Sequence, residues 1–380
     1  MVVVSAEPFL PRFLPTGIGS LPHTDAREAV EFVWRHCPEI PWWPQLPRRA
    51  FAENFYAMFS EHLPGRVLDE KGLRLWVDSA APNLYAEAEK VLERALSGRV
   101  GELAIGPAYA SGLYEFGATL TAAGGAAVRP LALKGQITGP ISFGLQVADE
   151  RRRPILYDPL LADVATQNLA AKLAWQRDFL AEEAGSTSSP LLLMFVDEPI
   201  LQYFGSALVS LSREDMLART GAVLEAVRRP GTLTGLHCCA NTDWGVVLEL
   251  PLDILSFDAF GYGESILLYP EAVARFLGRG GVLAWGIVPA EEDPLEQQTA
   301  ASLEEWWLSL AGRLVERIRP YLSPTWAESS DGVLAKLAQQ SLLTPSCGLG
   351  TQEVPTAEKA FTMLRELSNR LRRRLETGAA

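Results

Sequence analysis

Short apolar, β-branched runs alternate with helical periodicity along almost the whole chain. Runs that read as strands are Leu14–Ser20, Leu131–Thr138, Leu191–Asp197, Thr232–Cys239, Ile254–Asp258, Val282–Ile287 and Ser341–Cys347. Between them, apolar positions recurring every three or four residues predict helices over Ala165–Glu183, Arg213–Val227, Pro270–Leu277 and Ser302–Ile318, with a last one over Thr356–Leu375. Strands alternating with helices in one register mean repeated βαβ units and a parallel sheet. Seven such strands predict an α/β fold, a closed (β/α)8 TIM barrel whose remaining strand falls in Arg74–Ile105. Barrels of this kind run from ~250 to more than ~400 residues, which suits a chain of 380. No Ser/Gly linker or composition break divides residues 1–380, which read as one domain. The stretch from Ala26 to Gly125 exceeds what one βα unit needs and predicts a helical and irregular excursion in the N-terminal half. It contains Pro41-Trp42-Trp43-Pro44-Gln45-Leu46-Pro47-Arg48-Arg49, either a hydrophobic clamp or the lining of a substrate mouth.

Composition narrows the partners. A net charge of −12 argues against nucleic acid, whose phosphates call for clustered Lys and Arg. The one basic cluster, Arg370–Arg374, ends the terminal helix and reads as a solvated face that complements the helix dipole. Apolar runs are of strand length and broken by Gly, Pro or charge, so no membrane span is expected. Met1–Glu7 lacks the basic and apolar regions of a signal peptide. Four cysteines make no disulfide scaffold, and a cytoplasmic, reducing location is expected.

Of those four cysteines and four histidines, three cysteines and one histidine fall in Gly235-Leu236-His237-Cys238-Cys239 and Thr344-Pro345-Ser346-Cys347-Gly348. His-x-Cys on an extended strand sends both side chains to one face. A cysteine at another strand end can then complete a zinc site of imidazole and thiolate. A lone His-x-Cys fits buried packing equally well; the second, Pro- and Gly-flanked cysteine tips the reading to metal. Alternation turns Cys238 toward the helical layer, unless a bulge at the strand end swaps it with Cys239. The suspected polar residues Ser20, Asp197, His237, Cys239, Asp258 and Cys347 all stand at C-terminal strand ends, where barrel chemistry collects.

Read in order, these strand ends resemble the catalytic barrel of cobalamin-independent methionine synthase, within the group that also holds uroporphyrinogen decarboxylase. Thr16-Gly17-Ile18-Gly19-Ser20-Leu21-Pro22-His23-Thr24 is similar to that family's Ile-Gly-Ser-aromatic-Pro-Gln-Thr run, and Lys134-Gly135-Gln136-Ile137-Thr138-Gly139-Pro140 to its Leu-Thr-Gly-Pro segment. Val196-Asp197-Glu198-Pro199 resembles its Asp-Glu-Pro, His237-Cys238-Cys239 its His-x-Cys, and Pro345-Ser346-Cys347-Gly348-Leu349 its Pro-Asp-Cys-Gly-Leu. The resemblance implies zinc on His237, Cys239 and Cys347. In place of the family's Glu ligand stands Asp258, nineteen residues after Cys239, with Glu264 as the nearby substitute. It also implies that Ile18, Ser20 and Asp197, with Glu198 as a second candidate carboxylate, hold the amino-acid part of homocysteine. The sequence departs from the family in two places. It has room for one barrel where full-length members have two, and Ala284–Ala290 lacks their proton-transferring histidine.

A thiol of pKa near 8.5 is mostly protonated at neutral pH, so thiol alkylation needs a metal that binds and deprotonates it. Two thiolates, a histidine and a carboxylate nearly cancel or exceed the zinc charge, which leaves a bound thiol nucleophilic and favours alkyl transfer over hydrolysis. The resemblance therefore implies a zinc-dependent thiol methyltransferase. Its expected acceptor is homocysteine, giving methionine. A methylcorrinoid, carried by a separate corrinoid protein, is the expected donor, since demethylating methylfolate requires protonation. Coenzyme M or another small thiol, decarboxylase chemistry of the uroporphyrinogen type, and a non-catalytic zinc-bearing homologue are the competing readings.

Overall fold

The computed structural model describes residues 8–122, 129–185, 190–206, 209–324, 326 and 330–378. Its strands in chain order are β1 (Leu14–Pro15), β2 (Arg66–Asp69), β3 (Arg74–Val77), β4 (Ala132–Thr138), β5 (Ala148–Asp149), β6 (Leu191–Asp197), β7 (Thr232–Cys238), β8 (Ile254–Phe257), β9 (Val282–Val288) and β10 (Ser341–Pro345). Seven of these form one parallel sheet in the order β1-β10-β9-β8-β7-β6-β4. The sheet curls around: its edges are β1 and β4, and one short segment bridges to Lys134 on β4 through Trp42 and to Ser20, just past β1, through Gln45. Helices Pro159–Ala184, Arg213–Glu225, Pro270–Gly278, Ala300–Ile318 and Val354–Glu376 follow the expected alternation. The first begins six residues before its expected start because Asp158 caps it, accepting from the Leu161 N–H, and Pro159 occupies its first turn. Among the described residues no helix is long and apolar enough to cross a membrane.

The strand expected in Arg74–Ile105 is not part of this sheet. Arg74–Val77 folds back on Arg66–Asp69 as an antiparallel hairpin, and Ala148–Asp149 joins it in a separate three-stranded sheet. A four-residue connection makes that local pairing cheap, whereas joining the main sheet requires closing a long loop. Instead, the gap between β1 and β4 is filled by the Pro- and Trp-rich segment. Glu39 O accepts from the Leu131 and Ala132 N–H groups, and Pro41 O accepts from Lys134 N–H at 2.9 Å. On the other flank Gln45 N–H donates to Gly19 O at 3.1 Å and Leu21 N–H to Gln45 O at 2.9 Å. Both bridges, Trp42 with Lys134 and Ser20 with Gln45, are parallel.

Period-two alternation divides the apolar side chains into two cores. On β6, Leu193 and Phe195 join Leu14, Ile40, Ala132, Ile254, Val282, Ala284 and Leu342 in an inner cluster. Leu192, Met194 and Val196 pack outward with the helices in the larger cluster. Continued toward the strand ends, the inward positions become polar: Lys134 and Gln136 on β4, Asp197 on β6, His237 on β7 and Ser256 on β8. The inner lumen is thus apolar below and polar above.

Trp42 fastens the bridging segment. Its Nε1–H donates to Gly19 O at 3.0 Å, and its ring stacks on Phe361 at 5.1 Å. A Cβ on Gly17 would fall within the indole. Gly17→Ala is therefore expected to cost about 1–3 kcal/mol through overpacking. The check is a lower urea midpoint with an unchanged denaturant slope.

Candidate metal centre and substrate cavity

His237 and Asp197 pair across neighbouring strands, as do His237 and Ser256, so the three side chains emerge side by side on the inner face. Ser256 Oγ lies 2.9 Å from His237 Nδ1 and fixes the ring. The opposite nitrogen, Nε2, is buried and has no hydrogen-bond partner. Strand β7 stops at Cys238, and Cys239 follows directly; β10 stops at Pro345, two residues before Cys347. Ligand atoms of His237, Cys239 and Cys347 all lie within 4.8 Å of one another. The mutual contact of the two thiols dominates their proton affinities: Cys347 is held well below the usual thiol range, helped by His237, and Cys239 above it. An orphaned imidazole nitrogen facing two sulfurs is a soft donor set that fits zinc. Cys238 points the other way: it is fully buried in the outer core, with its Sγ 3.5 Å from Ala240 O and its thiol pushed up to about 12 by burial.

The expected carboxylate ligands are placed differently. Asp258 follows β8 and caps the short helix Ala259–Tyr262, accepting from the Gly261 N–H at 2.6 Å. It stands outside the group of close ligand atoms, and burial raises its carboxyl to about 6. Glu264 is an exposed partner of Arg313 at 2.6 Å.

Above the trio opens a cavity of about 320 Å3, lined by Ile18, Ser20, Asp197, His237, Cys239 and Cys347 among others. Asp197 is 2% exposed, and neither carboxylate oxygen has a hydrogen-bond partner. Burial raises its pKa to about 6, against the pull of Lys134 and His237. Ser20 ties two loops together: its carbonyl accepts from Leu349 N–H at 2.9 Å and its hydroxyl from Gly350 N–H at 3.2 Å.

Glu198 does not line the cavity. Its oxygens accept from the Ile141 and Ser142 N–H groups at 2.9 and 2.8 Å, which fastens the turn after β4. That use corrects its expected substrate role, because both oxygens are already engaged. Burial raises its pKa to about 7.

Sequence reasoning missed Glu53, Asn54, Phe55 and Tyr56, which reach the cavity from the excursion. Glu53 is buried, paired with Arg49 and accepting from the Ser111 hydroxyl at 2.9 Å. Tyr56 has its hydroxyl raised to about 12, chiefly by burial. Both earlier readings of Pro41–Arg49 hold in part, since Trp42 and Trp43 are buried while Gln45 and Pro47 line the cavity.

A curled parallel sheet with its cleft beyond the carboxyl ends of the strands places the chain in the TIM-barrel type of α/β fold. The chain is similar to the structure of a B12-independent methionine synthase from Shewanella sp. W3-18-1 in complex with selenomethionine. That match has a TM-score of 0.55 and 13% identity over 96% of this chain and 99% of the other. It is also similar to a methyltransferase from Methanosarcina mazei, with a TM-score of 0.52 and 12% identity over 95% and 94% of the two chains. At such identities the likeness is one of fold. No protein-family model and no curated protein matches the chain.

Proposed function

We propose that this protein is a zinc-dependent methyltransferase acting on a small thiol, with homocysteine as acceptor and a methylcorrinoid as donor. The observation that carries the reading is the trio His237, Cys239 and Cys347, within 4.8 Å and opening on a cavity whose wall holds the unpartnered Asp197. The fold neighbours, a methionine synthase and a methyltransferase by description, support it. His237, Cys239 and Cys347 would hold the zinc, with the Asp258 carboxylate as the candidate fourth ligand. Zinc bound there supplies a Lewis acid that keeps a thiol in its nucleophilic thiolate form. We read Glu39–Gln45 as the eighth stave, completing a (β/α)8 barrel.

The remaining work falls to the chain itself. Ser256 orients His237 through Nδ1, leaving Nε2 free to ligate. Asp197 receives the ammonium of the acceptor, and Glu53 adds a second carboxylate to the same wall. Phe55 and Tyr56 line the cavity, where they would limit water around the reacting sulfur. Among the described residues no Lys or Arg lines the cavity, so a sulfonate thiol or a polycarboxylate porphyrinogen would find no side-chain counter-charge from them. The purified protein is expected to contain one zinc per chain and to form methionine from methylcobalamin and homocysteine. Metal-free protein that is inert with every thiol offered would sink the reading.

A further inference from the structure

Four consecutive residues of the excursion, Glu53 to Tyr56, reach the cavity, and they are not held equally. Glu53 is fixed by Arg49 and by the Ser111 hydroxyl. Tyr56 packs against the larger core, and its N–H donates to Asn54 Oδ1 at 3.3 Å. Phe55 is half-buried and packs against none of the apolar clusters among the described residues. Two directional contacts locate it. Its ring meets the Tyr56 ring edge-on, with 5.3 Å between centres and 89° between planes. Its carbonyl accepts from the Thr138 hydroxyl at 2.9 Å.

Thr138 is well placed to give that contact. It is the last residue of β4, fully buried and paired in the ladder with Asp197. A β-branched side chain on a strand has a restricted χ1, so the hydroxyl leaves the sheet in a set direction. No other hydrogen bond joins the main sheet to residues 53–56 among the described residues. Because the peptide is planar, holding Phe55 O also sets the unit that links Phe55 to Tyr56. Asp197 and His237 enter the cavity from the sheet, whereas Phe55 and Tyr56 enter it from the excursion. The Thr138 hydroxyl therefore sets the spacing between these two walls.

We infer that Thr138 is a positioning residue whose hydroxyl holds Phe55 in the cavity wall, and that Phe55, so held, selects acceptors by size. This rests on the small-thiol reading above and specifies what keeps the thiol small. The metal trio decides which atom reacts, and Phe55 decides how much can be attached to it. Slim, unbranched thiols fit beside the ring, and a thiol that carries a ring of its own next to the sulfur is turned away.

The test reads the wall without turnover. The full chain, freed of zinc by a chelator so that its cysteines can react, is alkylated with iodoacetamide and with N-benzyliodoacetamide. The two reagents share one chemistry and differ in bulk, and mass spectrometry reads the labelling at each cysteine. Cys239 and Cys347 line the cavity, while Cys37 and Cys238 are fully buried and report any general loosening. In the wild-type protein the benzyl reagent is expected to lag at Cys239 and Cys347, relative to the ratio of the two reagents at free glutathione. Thr138→Val should speed the benzyl reagent there by about tenfold, the upper end of what one neutral hydrogen bond is worth, with iodoacetamide changed less than about twofold. Phe55→Ala should do at least as much, and the double variant no more than Phe55→Ala, because the hydroxyl acts through that ring. Thr138→Ser keeps the donor and should stay near wild type. Thr138→Ala serves if the valine variant fails to fold, as judged by circular dichroism. In turnover, Thr138→Val and Phe55→Ala should both raise kcat/KM for benzyl mercaptan relative to homocysteine. Equal acceleration of both reagents, labelling of Cys238 alongside Cys239, or a double variant that exceeds Phe55→Ala overturns the inference. A chain that sorts the reagents as expected yet methylates no thiol keeps Phe55 as the size-selecting wall and loses the proposed activity.

Discussion

Cys239→Ser and Cys347→Ser are each expected to lose stoichiometric zinc and all thiol methylation while remaining folded. Both cysteines stand beyond strand ends at the cavity, and neither belongs to the fully buried core. The sheet beneath is held by ladders and apolar layers that do not involve them, which is where barrel stability resides. Serine replaces a soft anionic donor by a neutral hydroxyl that zinc binds far more weakly. The affinity loss should reach at least ~100-fold, the upper end of what losing an outer partner of a ligand costs. Cys238→Ser gives the contrast. Its sulfur sits in the outer core against Ala240 O, so zinc should stay at one per chain while stability falls by about 1–2 kcal/mol from burying a hydroxyl. Zinc analysis with circular dichroism on the three variants separates these outcomes. Loss of metal in Cys238→Ser with retention in Cys239→Ser would refute the assigned ligands.

The strands and helices were legible wherever apolar pattern and local capping agreed. All seven main-sheet strands fall within or beside the runs read from the sequence, but several end early. Asp258 leaves its strand to cap a helix, and Pro345 closes β10 before Cys347. The segment between β1 and β4 was not legible as a stave. Two prolines and two tryptophans hide an extended backbone that pairs through isolated bridges, not a continuous ladder. Glu198 could not be assigned from its neighbour Asp197, because its partners are backbone amides of the turn after β4. Lys134 was legible in principle. Counting by two from Ala132 places it inward, and a lysine at an inward position in an apolar strand is a signal that motif matching passed over. Glu53 through Tyr56 could not be placed, since an excursion carries no periodicity to say which side faces the cavity.

Asp197→Asn is expected to raise KM for homocysteine by roughly thirtyfold, equivalent to about 2 kcal/mol, the lower end for breaking a buried charge pair. Both oxygens of Asp197 are buried and unpartnered in the free protein, so the acceptor's ammonium is the cation that would satisfy them. Little change in kcat should follow, because in the proposed reading the reacting sulfur would be held elsewhere, by the metal on the histidine–cysteine trio. A thiol without an amino group should lose nothing. The same substitution should strengthen the metal-free protein. Burial raises the Asp197 pKa from 3.8 to about 6, so the folded state binds the proton more tightly than the unfolded one. Its contribution is therefore fully present below pH 4 and lost as pH rises through about 6. Asparagine does not titrate, so the variant's advantage should be absent near pH 4 and grow to a plateau above pH 6. At about 1.4 kcal/mol per pKa unit the plateau reaches at most a few kcal/mol. Urea midpoints of both proteins across that range measure it. A variant that gains stability above pH 6 and loses affinity only for amino thiols marks Asp197 as strain kept for binding. Equal KM values for the two proteins would remove Asp197 from the acceptor site.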